Sequence, residues 1–162
     1  MSVLDTLASF PDLLDGALLD FQPELLRWAP PDWTAAPAER FTAVATVCHL
    51  RDIERDGYHV RLRRVVSEVV PDLPSVDGFE LERERNYAGD SPERALADFR
   101  AARTETVQLV HGWAARDFAR KATFAEYGTV TASGLLHLLS SHDLQHLSGL
   151  RWLLARASAS RG

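Results

Sequence analysis

Two histidines, His142 and His146, stand four residues apart in a leucine-rich segment near the end of the chain. Four residues make about one helical turn, so both imidazoles point to the same side of a helix. Leucines recur on that side at three- and four-residue steps, which indicates a buried face. Because an unpaired buried polar group costs about 1–3 kcal/mol, the two rings need partners, and a divalent metal ion satisfies both.

A firmly held metal ion that keeps an open coordination position needs three protein ligands, so the third must come from another helix. His49 is the best candidate, because it lies beside the inward stripe of a predicted helix with Asp52 and Asp56 three and seven residues further on. Carboxylates at this spacing are suited to orienting an imidazole or a water molecule. The residues therefore predict a metal held by His49, His142 and His146, with Asp52 or Asp56 as a base or as a hydrogen-bond acceptor that orients an imidazole or a water molecule. The alternative is that these histidines are core residues with hydrogen-bond partners.

The remaining histidines and the single cysteine have weaker context. His137 lies about 140° round the helix from His142 and is expected to face elsewhere. His59 adjoins an arginine-rich stretch and His111 lies near a predicted helix end, where a cation suits the helix dipole, so both are expected to be structural or solvated. Cys48 is expected to be a small buried hydrophobe, with soft-metal ligation as the alternative.

The composition indicates an ordinary globular protein, with 162 residues, 46% hydrophobic and 25% charged. A net charge of −5 argues against a nucleic-acid-binding surface. One local basic cluster is expected to be a solvated helix face paired with acids, with a phosphate-binding patch as the alternative: Arg51, Arg55, Arg61, Arg63 and Arg64. One cysteine excludes an intrachain disulfide, and neither a signal peptide nor a membrane-spanning apolar run is evident. We expect a cytoplasmic protein.

Helical periodicity recurs in four long segments, which predicts an all-α four-helix bundle in a single domain over residues 1–162. The predicted helices cover about 3–28, interrupted or kinked by Pro11 and Pro23, then 38–70, 90–113 and 131–156. Two long connections are expected at 71–90 and 117–130, the second with a short extended pair. Residues 158–162 are expected to be a disordered polar tail.

A substrate pocket is expected where segments 28–37 and 71–90 approach the metal end of the bundle. Four large aromatic side chains are available there for substrate contact or for closing the bundle end: Trp28, Trp33, Phe79 and Tyr87.

The sequence also resembles a known family. Residues 47–54, Val-Cys-His-Leu-Arg-Asp-Ile-Glu, are similar to the second-helix signature of the DinB-like (DinB/YfiT-type) superfamily. The segment from Tyr-Gly-Thr-Val-Thr at 127–131 through the two histidines at 142 and 146 resembles the approach to that family's last helix. The resemblance implies a four-helix bundle with an atypical crossover. It also implies a three-histidine site formed by His49, His142 and His146 that binds zinc, nickel or another divalent ion.

The resemblance carries expectations about activity. The family includes YfiT-like metal-dependent hydrolases and thiol S-transferases that use bacillithiol or mycothiol, and many members form dimers. The leading expectation is transfer of a low-molecular-weight thiol to an electrophilic small-molecule substrate by a homodimeric protein. Hydrolysis by a metal-activated water and a non-catalytic metal-binding bundle are the alternatives.

Overall fold

Four long helical rods form the bundle in the computed structural model, which describes residues 2–160 except for the side chain of residue 126. The helices are α1 (Val3–Leu19), α2 (Ala43–Asp52), α3 (His59–Ser67), α4 (Gly78–Arg85), α5 (Pro92–His111) and α6 (Ala132–Ser160). A π-helical turn, Ile53–Tyr58, joins α2 and α3 into one rod. The rods α1, α2–α3, α5 and α6 pack together, which confirms the predicted all-α four-helix bundle.

Side-chain caps set where the rods begin. Thr42 accepts a hydrogen bond from the backbone N–H of Ala45, so α2 begins at Ala43 and not at the predicted residue 38. Ser91 caps α5 in the same way and Pro92 occupies its first turn, so this helix begins close to the predicted residue 90. The rod ends at Ser67, three residues before the predicted end, and Val70 has a φ of 47°, which is incompatible with a continuing helix.

The first helix is shorter than predicted. Pro11 lies inside α1 without interrupting it, and the helix ends at Leu19. Pro23 instead begins a separate 3₁₀ turn, Pro23–Leu25, because a proline is well tolerated in a first turn. At the other end of the chain α6 continues to Ser160, so residues 158–160 are helical and not disordered. Residues 161–162 of the predicted tail lie outside the described residues.

A small sheet closes one end of the bundle. Strands β2 (Lys121–Phe124) and β3 (Gly128–Thr131) form an antiparallel hairpin, which confirms the predicted extended pair. Strand β1 (Asp72–Leu73), from the other long connection, pairs with β2 in parallel. Neither β1 nor α4 was expected in that connection.

The central rod explains how polar residues come to lie inside. Every residue of α2 is buried, including His49, Arg51 and Asp52. Polar groups in such a helix must find partners among neighbouring side chains, since buried polar atoms are seldom left unpaired. Among the described residues, no helix is long and apolar enough to cross a bilayer.

Candidate metal centre

Three histidines from two helices converge at one point of the bundle. His49 comes from α2, and His142 and His146 come from one face of α6. The Nε2 atom of His142 lies 3.1 Å from Nε2 of His49 and 3.2 Å from Nε2 of His146. All three possible ligand atoms lie within 4.8 Å of one another. The structure therefore brings together the three histidines that the sequence pattern selected.

The spacing of these nitrogens fits a metal ion. Zinc–nitrogen bonds of about 2.0–2.1 Å at tetrahedral angles place ligand nitrogens roughly 3.3–3.4 Å apart. The two shorter nitrogen separations in the protein, 3.1 and 3.2 Å, are close to that spacing. Imidazole nitrogen is also a donor that zinc, nickel and copper accept. The residues present thus fit a divalent transition-metal ion.

Burial keeps the three rings neutral, which is the form that can bind a metal ion. Desolvation and the neighbouring His146 lower the pKa of His49 to about 3, against an opposing effect of Asp52. Burial lowers the pKa of His142 well below its usual value and also lowers that of His146. At neutral pH the cluster therefore presents nitrogen lone pairs and carries no positive charge of its own.

Packing holds the His49 ring in place. The Phe41 ring lies 5.0 Å from it, centroid to centroid. On another side the first residue of α4, Gly78, approaches so closely that a Cβ there would lie 2.5 Å from Cε1 of His49 and 2.7 Å from Nδ1. Among the described residues, Nδ1 of His49 and Nδ1 of His142 have no hydrogen-bond partner. Steric contact therefore fixes the His49 ring, and the ring fits against the backbone of residue 78 because that residue has no side chain.

Glu39 is a site residue that the sequence analysis missed. Its Oε2 atom lies 3.3 Å from Nε2 of His146. The contact is not aligned as a hydrogen bond, and this buried oxygen has no hydrogen-bond partner among the described residues. Glu39 lies in the irregular segment before α2, where no periodicity indicates which way a side chain faces. A carboxylate oxygen free to accept a proton thus lies against the histidine cluster.

Asp52 and Asp56 lie in a different environment from the one expected. The Asp52 carboxylate accepts hydrogen bonds from Arg51 at 2.7 and 3.1 Å and pairs with Arg85 at 3.0 Å. Asp56 is partly exposed and pairs with Arg85 at 2.6 Å. Neither carboxylate lines the cavity described below. The π-helical turn adds a residue to the turn after Asp52, so the regular spacing that placed Asp56 on the His49 side does not hold. Their catalytic role stays a prediction.

A second polar cluster, formed by Glu54, Arg103 and Asp143, is buried beside the first. Arg103 donates to both oxygens of Glu54, at 2.8 and 2.9 Å, to Asp143 Oδ1 at 3.0 Å and to the carbonyl of Leu7 at 3.0 Å. A further contact, Arg103 Nη1 to Asp143 Oδ2 at 2.8 Å, is an ion pair that is not aligned as a hydrogen bond. Burial raises the pKa of Asp143 to about 7 despite Arg103. This ion-pair cluster ties α2–α3, α5 and α6 together next to the residues that hold the histidines.

A cavity of about 230 Å³ opens onto the histidine cluster. Its wall includes His49 and His142 from the cluster, Glu39, and side chains of α3 and the β-hairpin, namely Arg61, Phe124 and Tyr127. Segment 71–90 lines the cavity as predicted, through Ser75, Val76 and Gly78. Segment 28–37, which was also expected there, contributes no lining residue.

The four aromatic residues proposed for the pocket pack elsewhere. Trp33 stacks on Trp152 with ring centroids 5.8 Å apart, and Phe79 packs on Phe41 at 5.1 Å. Trp28 is packed against the apolar core and Tyr87 is fully buried. None of the four lines the cavity, and closure of the bundle end by these side chains stays a prediction.

Comparison with known proteins decides the family. The DinB superfamily profile matches residues 6–149, a span that includes all three clustered histidines. The chain belongs to the DinB superfamily. A solved structure with the same fold is that of YfiT from Bacillus subtilis, described as "a probable metal-dependent hydrolase with an unusual four-helix bundle topology". It has 17% sequence identity and a TM-score of 0.82, over 96% of this chain and 86% of YfiT. No curated protein gave a significant match.

The other histidines of this DinB-superfamily chain have ordinary environments. His59 is buried, and its Nε2 lies 3.0 Å from the carbonyl of Ala102 and 3.1 Å from the hydroxyl of Thr106. His111 and His137 are exposed. Cys48 is buried, with its Sγ 3.6 Å from Asp90, and burial raises its pKa to about 12, so it stays a protonated thiol at neutral pH.

The arginine cluster divides into two kinds. Four of its five members pair with carboxylates, as expected of a helix face with neighbouring acids: Arg51, Arg55, Arg63 and Arg64. Arg61 differs, because no ion-pair partner for it is found among the described side chains and because it lines the cavity.

Proposed function

We propose that this chain is a divalent-metal-dependent hydrolase acting on a small molecule, with the metal held by His49, His142 and His146. One observation carries the proposal: three neutral imidazole nitrogens converge at the wall of a cavity with an unpaired carboxylate oxygen of Glu39 against them. A divalent ion held there would supply Lewis-acid chemistry, polarising a carbonyl oxygen and acidifying water.

The residues of the chain have distinct tasks in this proposal. The three histidines would hold the ion through their Nε2 atoms, which face one another. Glu39 accepts the proton of the attacking water, since its Oε2 lies 3.3 Å from Nε2 of His146 and the residue lines the cavity. The ion-pair cluster fixes α6 beneath His142 and so maintains the ligand geometry.

Glu39 is the reason for preferring hydrolysis to thiol transfer. A thiol is activated as a nucleophile when a metal or a nearby cation lowers its pKa, and it needs no carboxylate beside it. Water is a weaker acid and gains more from a general base. Thiol transfer, zinc or nickel as the ion, a homodimer and a cytoplasmic location stay predictions.

Replacing Glu39 by Gln tests the assignment. The Glu39→Gln protein should retain its metal ion, because the three histidines are unchanged, and should lose about 100-fold or more in kcat, which is typical of a lost general base. Initial rates on a panel of nitrophenyl esters and anilides, with metal content measured on the same samples, provide the comparison. Glu84, an exposed acid of α4, gives the control Glu84→Gln, which should behave as the wild type.

The same assay distinguishes the alternatives. Turnover that requires both metal and an added low-molecular-weight thiol would replace hydrolysis by thiol transfer. A metal-loaded protein with no turnover in either assay would leave the non-catalytic binding bundle. Equal rates for the wild type and Glu39→Gln would remove Glu39 from the mechanism.

A further inference from the structure

Among the described side chains, which do not include that of residue 126, the buried cation of Arg61 has no counter-ion. Its side chain is 4% exposed, and no carboxylate among the described side chains lies within ion-pair distance of it. The other four arginines between residues 51 and 64 all have a carboxylate partner. A buried charge is costly when it is unpaired, so an arginine retained in this state indicates a missing anionic partner.

The surroundings of Arg61 hold its guanidinium in one orientation. Its Nε donates to the carbonyl of Pro74 at 3.0 Å, and its Cζ lies 4.4 Å from the centre of the Phe124 ring and 4.9 Å from that of Tyr58. A Cβ at Gly57 would lie 2.9 Å from Nη1, so the backbone there is also close. Among the described residues only Nε of Arg61 has a hydrogen-bond partner, so the donors of Nη1 and Nη2 remain for a ligand.

The guanidinium and the histidine cluster belong to one cavity. Arg61, His49 and His142 line the same space of about 230 Å³, below the usual range of about 300–1,000 Å³ for drug-sized ligands, which favours a small substrate. A ligand held by Arg61 would therefore extend toward the histidines.

We infer that Arg61 is the anchor for a carboxylate group on the substrate, whose reacting bond lies at the three-histidine centre. The planar fork of arginine matches a carboxylate, whose two oxygens accept parallel hydrogen bonds. A singly charged group is favoured over a phosphate dianion, because Glu39 lines the same small cavity and repels added negative charge. This inference rests on the proposed function for the reaction at the metal, but the anchor itself needs only Arg61 and the cavity.

The test compares a carboxylate with its neutral analogue. Binding of benzoate and benzamide to the zinc-loaded protein is measured by calorimetric or NMR titration. The wild type should prefer benzoate by about tenfold or more, as expected for hydrogen bonds between charged groups. Arg61→Gln should lose the preference, and Arg61→Lys should keep only part of it, because a point charge replaces the fork. Arg116→Gln, which removes an exposed arginine outside the cavity, should bind as the wild type does.

Three results would overturn the inference. If the wild type does not prefer benzoate, or if Arg61→Gln keeps the preference, Arg61 is not the anchor. If Arg61→Gln is too unstable to titrate, the wild-type result decides alone. Tighter binding of inorganic phosphate than of benzoate would reject the carboxylate class. Repeating the titrations after metal removal separates the two proposals. If the protein binds no zinc but still prefers benzoate through Arg61, the anchor is retained and the metal enzyme is rejected. If the protein binds zinc but its preference does not depend on Arg61, the metal site is retained and the anchor is rejected.

Discussion

Two buried polar clusters lie side by side in this bundle, and they differ in how completely the protein satisfies them. In the ion-pair cluster the Arg103 guanidinium bonds to two carboxylates and a backbone carbonyl. In the histidine cluster three neutral nitrogens face one another, and none of them is a cation. Adjacent residues of α6, His142 and Asp143, contribute to the two clusters. The first cluster pairs its cation with protein carboxylates, whereas the second presents only neutral nitrogens, which a cation could bind.

The contrast separates a structural role from a binding role. A buried polar group with matched partners stabilises the native arrangement, and removing one partner is costly. A cluster of like donors or acceptors gains stability only when a ligand of the right kind is added.

Replacing Arg103 by Met should have the largest effect on stability. It leaves the carboxylates of Glu54 and Asp143 buried without their cation, and breaking a buried pair in this way costs about 3–5 kcal/mol. Urea unfolding of the metal-free protein measures the loss. Arg100 lies in the same helix and pairs with Asp12 and Asp15 near the surface, so Arg100→Met should cost about 0–1 kcal/mol. Equal losses in the two variants would mean that the buried cluster has no special structural role.

Lowering the pH should reduce the contribution of His49 to the stability of the metal-free protein. The pKa of His49 is about 3 in the folded protein, below the ordinary value of about 6.5, so only the unfolded chain takes up the proton between these values. The contribution of His49 to the free energy of unfolding is therefore present above pH 6.5 and falls below it, by at most about 2 kcal/mol between pH 6.5 and 5. Urea unfolding of the wild type and His49→Ala across this range, in the presence of a chelator, measures the difference.

The difference between the two proteins is the informative quantity. The raised pKa of Asp143 adds a pH dependence of opposite sign, with stability increasing as pH falls through about 7, but both proteins share it. His49→Ala should lose less stability than the wild type as the pH falls. Parallel pH profiles would show that His49 is not held neutral by the fold.

A methyl group at residue 78 should disturb the histidine cluster without touching the ion-pair cluster. The Cβ of Gly78→Ala would lie 2.5 Å from the His49 ring, so the ring or α4 must shift. Changes to groups that orient a ligand typically lower metal affinity about 10–100-fold, which is the expected effect on zinc binding. Gly16→Ala provides a matched control, since no atom lies within 4 Å of a Cβ there. Unchanged zinc affinity in Gly78→Ala would show that the packing of α4 does not orient His49.

Residue types at helical spacing were enough to predict the bundle and to select its three clustered histidines. His142 and His146 share a face because a regular helix repeats every 3.6 residues, and His49 stood out as a polar residue beside an apolar stripe. Regular periodicity also predicted the four rods.

The rest of the site depends on departures from regular geometry. The π-helical turn shifts the register after Asp52, so the neighbourhoods of Asp56 and Arg61 could not be obtained from α-helical spacing. The tyrosine three residues before Arg61 was the available signal for the cation–π contact. Glu39 gave no signal, because it comes from an irregular segment and only tertiary packing brings it to His146.

Direct zinc titration tests the central claim. Calorimetry on the metal-free wild type should show one ion bound per chain. His49→Ala, His142→Ala and His146→Ala should each lower the affinity by more than about 100-fold, since a lost ligand costs more than a lost orienting group. The exposed His111 gives the control His111→Ala, which should bind zinc as the wild type does. Equal zinc affinity in all five proteins, with folding verified by circular dichroism, would contradict a metal site at these three histidines.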